Sequence, residues 1–190
     1  MSLSLVTGPN AEPVTIDTVK AHLRLEIPDD DALVAGYLLA ARNWVEGQTH
    51  RALPVQTWDY TIDYGWPFRF GRHRIDLPLN PVKSVTSITY VDDSGAEQTT
   101  TAYQAVCRTN GSYIVPTYGN TFPTVRRQPE AITVRFVAGY DEVPWELKQA
   151  IMLLVGHMYE HREPIVTGTI VAELPFAVEA LISPYRCATV

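Results

Sequence analysis

His157, Glu160 and His161 are the residues of this chain whose types and spacing could do chemistry, because they spell His-x-x-Glu-His. Two imidazoles four residues apart lie on one face of a helix and can share a zinc ion. The carboxylate between them can then serve as general base toward a metal-bound water. A zinc-dependent hydrolase is therefore the enzymatic alternative. The constellation is incomplete, however. Catalytic zinc takes three protein ligands, and beyond His161 the available acids are Glu163, Glu173 and Glu179, none of them in a ligand motif. At roughly 100° per residue, both histidines flank the stripe of Leu147, Ile151, Leu154 and Met158. Histidines in such a position are usually hydrogen-bonded boundary residues. The chain has no Gly-x-Gly-x-x-Gly, no Walker loop and no Gly-x-Ser-x-Gly. No catalytic, metal-binding or cofactor-binding residue is expected, and no cofactor.

The segment that carries these histidines is more informative as an element. From Val143 to Pro164 it is apolar nearly all round, broken between Lys148 and Glu160 by Gln149 and His157. Such a helix expects burial on several sides. Pro144 and Pro175 suit the first turn of a helix, whereas Pro164 and Pro184 mark stops. Upstream, Thr15 caps a helix with Ile16, Val19 and Leu23 on one face. The run Asp29-Asp30-Asp31 opens a longer one that reaches about His50, with Leu33, Val34, Tyr37, Leu38, Ala41, Trp44 and Val45 as its stripe. Acids there read as a capping device at the positive end of the helix.

After Pro54 the period becomes twofold. Trp58, Tyr60, Ile62 and Tyr64 alternate with Thr57, Asp59, Thr61 and Asp63, the mark of a half-buried strand. Further strands are expected around Ile75 and Leu77, over Val82–Val91, on both sides of a two-residue Asn110-Gly111 hairpin, and over Ile132–Phe136 before Gly139. Thr117–Gln128 reads as an exposed loop. The predicted class is α+β: a bundle of about four helices, residues 14–51 and 143–186, with an antiparallel sheet and hairpin region over 55–140 and a tail at 185–190. All of it, 1–190, is read as one domain.

Composition narrows the function. Hydrophobic residues make up 46% of the 190 and charged residues 19%, as in a globular protein. The net charge of −6 and a pI near 5.3 argue against a nucleic-acid clamp and suit a surface that DNA passes without specific binding. No stretch reaches the roughly 18–20 apolar residues that cross a bilayer, so no membrane association is expected. Cys107 and Cys187 fit no Cys-x-x-Cys pattern; two reduced thiols are the expected state, with one disulfide between them the alternative. The aromatic and arginine cluster Trp66, Phe68, Arg69, Phe70, Arg72 and Arg74 could stack on single strands, but in an acidic chain it reads as a protein-docking loop.

Several stretches taken in order resemble the head–tail connector family of tailed phages, also called adaptor or head-completion proteins, including the branch found in gene transfer agents and prophages. They are VTIDTVKAHLRL, AARNWVEGQTHRAL, QTWDYTID, LPLNPVKSVTSITYVDDSG, ITVRFVAGYDEVPWELKQAIMLLVGHMYEHRE and LPFAVEALISPYR, which span most of residues 14–186. The resemblance implies a structural virion protein, made in the bacterial host cytoplasm and placed at the head–tail junction. It implies a homo-oligomeric ring, expected to be a dodecamer on the portal protein, that extends the DNA channel and docks head-closure or tail proteins. Under this resemblance Trp145, Met158, Tyr159, Arg162, Phe176, Tyr185 and Arg186 would lie at subunit or portal contacts. Trp66, Phe68, Arg69, Phe70, Arg126 and Arg127 would lie on docking loops, and the tail from Tyr185 would reach toward the portal. Head-closure and tail-terminator proteins are dominated by strands, and the four expected helices argue against those.

Overall fold

A computed structural model describes residues 1–26, 29–64, 74–161 and 176–187. In chain order the elements are β1 (Ser2–Thr7), α1 (Ile16–Leu23), α2 (Asp31–Thr49), β2 (Gln56–Ile62), β3 (Ile75–Asp76), β4 (Val82–Val91), β5 (Glu97–Thr100), β6 (Tyr103–Val106), β7 (Tyr113–Pro116), β8 (Ile132–Ala138), α3 (Trp145–Glu160) and α4 (Phe176–Ile182). A 3-10 turn, Ser183–Tyr185, follows α4. The class is α+β, with antiparallel sheets and four helices among the described residues.

The helices gather around one apolar core. Val19 of α1, Val34, Leu38, Ala41 and Val45 of α2, and Val178 and Ile182 of α4 pack with Leu147, Ile151, Leu154 and Val155 of α3. Each fully buried aliphatic side chain there contributes about 1.5–3 kcal/mol. This is what the apolar run of α3 calls for, and α3 touches every other helix. Thr15 caps α1 by accepting from Thr18 N–H at 3.2 Å. Pro144 stands just outside α3 with extended backbone, not in its first turn, and its carbonyl accepts from the N–H groups of Leu147 and Lys148. The Asp triplet departs from expectation. Asp30 at the head of α2 makes no side-chain cap bond; it accepts the Tyr159 hydroxyl of α3, while Asp31 pairs with Lys20 at 2.6 Å. Acids expected to cap their own helix are drawn to donors on other helices.

The strands form a second core. A five-stranded antiparallel sheet, ordered β1-β2-β8-β4-β5, faces a three-stranded sheet, β3-β7-β6. Tyr60, Ile62, Ile88, Val134 and Phe136 meet Ile75 and Ile114 between them. Strict alternation along β2 and β8 puts Asp59 opposite Arg135 on the outer face, where the two form a bidentate pair at 2.8 and 2.7 Å. Arg135 holds the Asp59 carboxyl below its ordinary range.

Two strand expectations change. β1 was not foreseen: all six of its residues are exposed, so it carries no burial pattern, yet it pairs with β2 as the sheet edge and lies outside residues 55–140. The Asn110-Gly111 hairpin is real, but pairing ends at Val106 opposite Tyr113, so the loop is longer than two residues. A two-residue turn of that kind needs positive φ at both positions, and only Gly111 has it, at 69°. Gly139 closes β8 at φ 128°; a Cβ there would stand 2.2 Å from the Pro54 carbonyl oxygen, so no other residue fits.

The β4–β5 turn is held by Asp92. Its carboxylate accepts from the Ser94 hydroxyl, the Gln98 amide and the N–H groups of Ala96 and Ser94, which lower its pKa from 3.8 to about 2. Because the folded-state value is depressed, the ionised group adds stability at pH above 3.8, and that contribution disappears as pH falls through about 2. Carbon NMR of the Asp92 carboxyl should show a midpoint near about 2, and Ser94→Ala should move it up toward 3.8. An unshifted midpoint in the wild type would contradict this turn geometry.

Candidate functional site

Among the described residues, the features that gather are surfaces, an open groove and the anchors that hold them. The C-terminal segment is the most firmly anchored. Arg51, just past the end of α2, is 2% exposed. Its Nε donates to the Tyr185 carbonyl at 2.6 Å, and Nη1 to the Thr109 carbonyl at 2.9 Å and the Tyr140 hydroxyl at 2.8 Å. Nη2 donates to Asn110 Oδ1. The rings of Tyr140 and Tyr185 lie 6.0 and 5.9 Å from the guanidinium carbon. Cys187 N–H donates to the Thr49 carbonyl at 3.0 Å, and the Tyr185 hydroxyl donates to Glu146 at 2.9 Å. Residues 183–187 are thereby held to the bundle, the 107–112 loop and the link between β8 and α3.

A second, part-buried network is built on α2 itself. Arg42 pairs with Glu12 and Glu46, each at 2.8 Å, and Glu46 Oε1 accepts from Leu53 N–H at 2.8 Å and the Gln56 amide at 2.7 Å. Burial outweighs these donors and pushes the Glu46 carboxyl up. The network ties the end of α2 to the start of β2.

Against this frame the sequence-expected contact residues divide. Trp145 and Phe176, the first residues of α3 and α4, point outward at 63% and 85% exposure. Met158 is half-buried. Tyr159 packs on the bundle core and gives its hydroxyl to Asp30, and Tyr185 is committed to Arg51 and Glu146. Arg186 reaches Glu179 at 3.7 Å. Arg162 lies outside the described residues, as do Trp66, Phe68, Arg69, Phe70 and the tail beyond Cys187. Arg126 leans over Gly95. Arg127 donates to the Tyr64 hydroxyl at 3.2 Å and stacks over that ring at 5.4 Å, at the rim of an open groove of about 470 Å³ lined also by Phe122 and Val125.

The histidine pair is close but not built as a ligand set. The rings of His157 and His161 meet edge to face with centroids 4.7 Å apart, and α3 ends at Glu160, so His161 stands at its C-cap. Glu179 is engaged by Arg186, and Glu163 and Glu173 lie outside the described residues. Among the described residues no group of three or more His, Cys, Asp or Glu side chains is placed to hold a metal ion.

Residues 12–187 match the head completion protein family. The chain belongs to that family. Solved structures agree with its fold along the whole length. A chain in the neck of an empty gene transfer agent particle with C6 symmetry is 28% identical, covers 100% of this chain and 97% of its own, and superposes with a TM-score of 0.81. A chain of the native gene transfer agent virion gives 27%, the same coverage and 0.80. A third, in the native neck with C12 symmetry, gives 27% and 0.78. No curated protein is a significant match.

For a head completion protein the anchors matter more than any single reactive group, and the sequence signalled neither one. Arg51 and Glu46 follow no motif, and their partners lie up to 134 residues away. Arg51→Ala should lower stability by about 2–5 kcal/mol, since it strands four acceptors at once. Arg51→Lys should not restore it, because an ammonium cannot span a planar set of acceptors; urea melts will show whether Lys rescues. His161→Ala, at an exposed position, should change stability by no more than about 0.5 kcal/mol. Added zinc should leave the melting temperature of wild type and variant unmoved.

Proposed function

We propose that this protein is a non-catalytic head–tail connector. Copies assemble as a ring, twelve in number, beneath the portal in the neck of a phage, prophage or gene transfer agent particle. There they extend the DNA channel and present a docking surface to head-closure or tail proteins. The observation that carries the reading is the full-length likeness to chains in gene transfer agent necks, together with membership of the head completion family.

The physical properties of the chain support it. A closed ring of identical subunits needs heterologous contacts, in which one face meets a different face of the neighbour. Trp145 and Phe176 offer exposed aromatic anchors for such a face. Met158, Tyr159, Arg162, Tyr185 and Arg186 complete the subunit and portal side in this reading, with the tail at 185–190 directed to the portal. Trp66, Phe68, Arg69, Phe70, Arg126 and Arg127 serve the partner that docks next. A net charge of −6 disfavours adhesion of DNA phosphates in the channel.

The test is size-exclusion chromatography with light scattering, with and without portal protein. The isolated chain should run as a monomer or weak oligomer, and a ring should form on the portal. If no ring appears with portal present, the connector reading fails.

A further inference from the structure

Helix α2 buries an apolar face as a surface helix does, but the side directly opposite carries none of the charge that usually faces solvent there. Its three charged residues, Asp31, Arg42 and Glu46, all engage partners within the chain: Lys20, Glu12 and each other. The buried face runs through Val34, Leu38, Ala41 and Val45. Directly opposite, within an arc of about 120° at 3.6 residues per turn, stand Ala32, Leu33, Gly36, Leu39, Ala40, Asn43 and Gly47. All seven are exposed and none is charged. Leu33 and Leu39 keep 36% and 46% of their surface in water.

The two glycines sharpen the point. A glycine inside a helix costs about 1 kcal/mol relative to alanine, and that cost usually answers a close neighbour. Among the described residues, a Cβ on Gly36 or Gly47 would meet nothing within 4 Å. No described residue of the subunit requires them to be small.

We infer that the outer face of α2 is the receiving half of the ring contact, covered by the next copy of this same chain through the outward side of its α3 and α4, where Trp145 and Phe176 stand. The inference rests on the connector reading, which demands two different faces that fit. Large exposed aromatics on one side and a floor of small residues between two leucines on the other are complementary in size. Extent argues for a copy as well. A 19-residue helix presents a strip about 28 Å long and about 10 Å wide. That is well short of the ~800 Å² per partner of a stable free complex. Such a face holds when many copies are gathered around one axis, as around a C6 or C12 neck, and not as a dimer in dilute solution.

The experiment places a photo-crosslinking amino acid at Leu39 in cells that assemble the whole particle. It is paired with Leu39→Glu and Gly36→Arg, and with Gln104→Arg at an exposed position of β6 as control. Irradiated particles should yield an adduct of two copies of this chain, mapped by mass spectrometry from residue 39 to the α3–α4 side. An adduct to a different virion protein, or no adduct between copies, overturns the inference. Both α2 variants should melt at or above the wild-type temperature, yet enter the neck at least about tenfold less than wild type. Gln104→Arg should enter normally. If wild type enters the neck and Leu39→Glu enters equally, the α2 contact is refuted while the connector reading stands. If wild type itself never enters the neck, both fall.

Discussion

The fold turns on how one buried guanidinium is satisfied. Taking an arginine out of water costs several kcal/mol unless every donor finds an acceptor in the fixed plane of its fork. Arg51 comes close to that with four hydrogen bonds to neutral groups: two carbonyls, a phenol and an amide oxygen, drawn from the C-terminal turn, the 107–112 loop and the start of the link to α3. No one of these segments can move without stranding the charge, so the bundle core and the sheet core are locked in one arrangement. The hairpin loop shows the consequence. Asn110 would have favoured a tight two-residue turn, but its side chain is recruited by Arg51 and the loop opens to supply it.

The Glu12–Arg42–Glu46 network does the same work at the other junction and has a further effect on α2. By holding Arg42 and Glu46 against their partners, it leaves the outward face of the helix from Leu33 to Gly47 without charge. A protein that functions alone would gain solubility from charge there. In a member of the head completion family, a stiff two-core unit with a charge-free helix face on one side and exposed aromatics on another is a shape suited to repetition around an axis. The rigidity is relevant to assembly, because a contact too small to hold by itself depends on surfaces that are already in place before the neighbour arrives.

The His-x-x-Glu-His spelling belongs to the same logic. His157 lies on the half-buried margin of α3, with Met158 and Tyr159 beside it, and Tyr159 sends its hydroxyl across to Asp30 of α2. The spacing that would suit a metal is also the spacing that lets a buried helix finish its boundary with polar groups. The two imidazoles meet each other edge to face at the end of α3, and Tyr159 between them bonds across to Asp30.

Periodicity made much of the architecture legible. The twofold alternation of Trp58, Tyr60 and Ile62, the stripes of α1 and α2, and the continuous apolar run of α3 each encode burial in residues close along the chain, and each became the expected element, except that Leu33 of the α2 stripe faces out at 36% exposure. A glycine at 139 and the acids of the β4–β5 turn were readable for the same reason. Edge strand β1 was not, because none of its side chains is buried and its identity rests on pairing with residues more than fifty positions later. The partners of Arg51, Asp30 and Glu46 were equally silent, and so was the face on which α2 would carry no charge. Sequence by itself determined which segments are helix or strand and which of their sides seek a core, since those depend on short-range spacing and hydrophobic burial. Tertiary structure alone decided where the polar groups went, because a buried donor takes whichever acceptor the folded chain brings within 3 Å, however far away it lies in sequence.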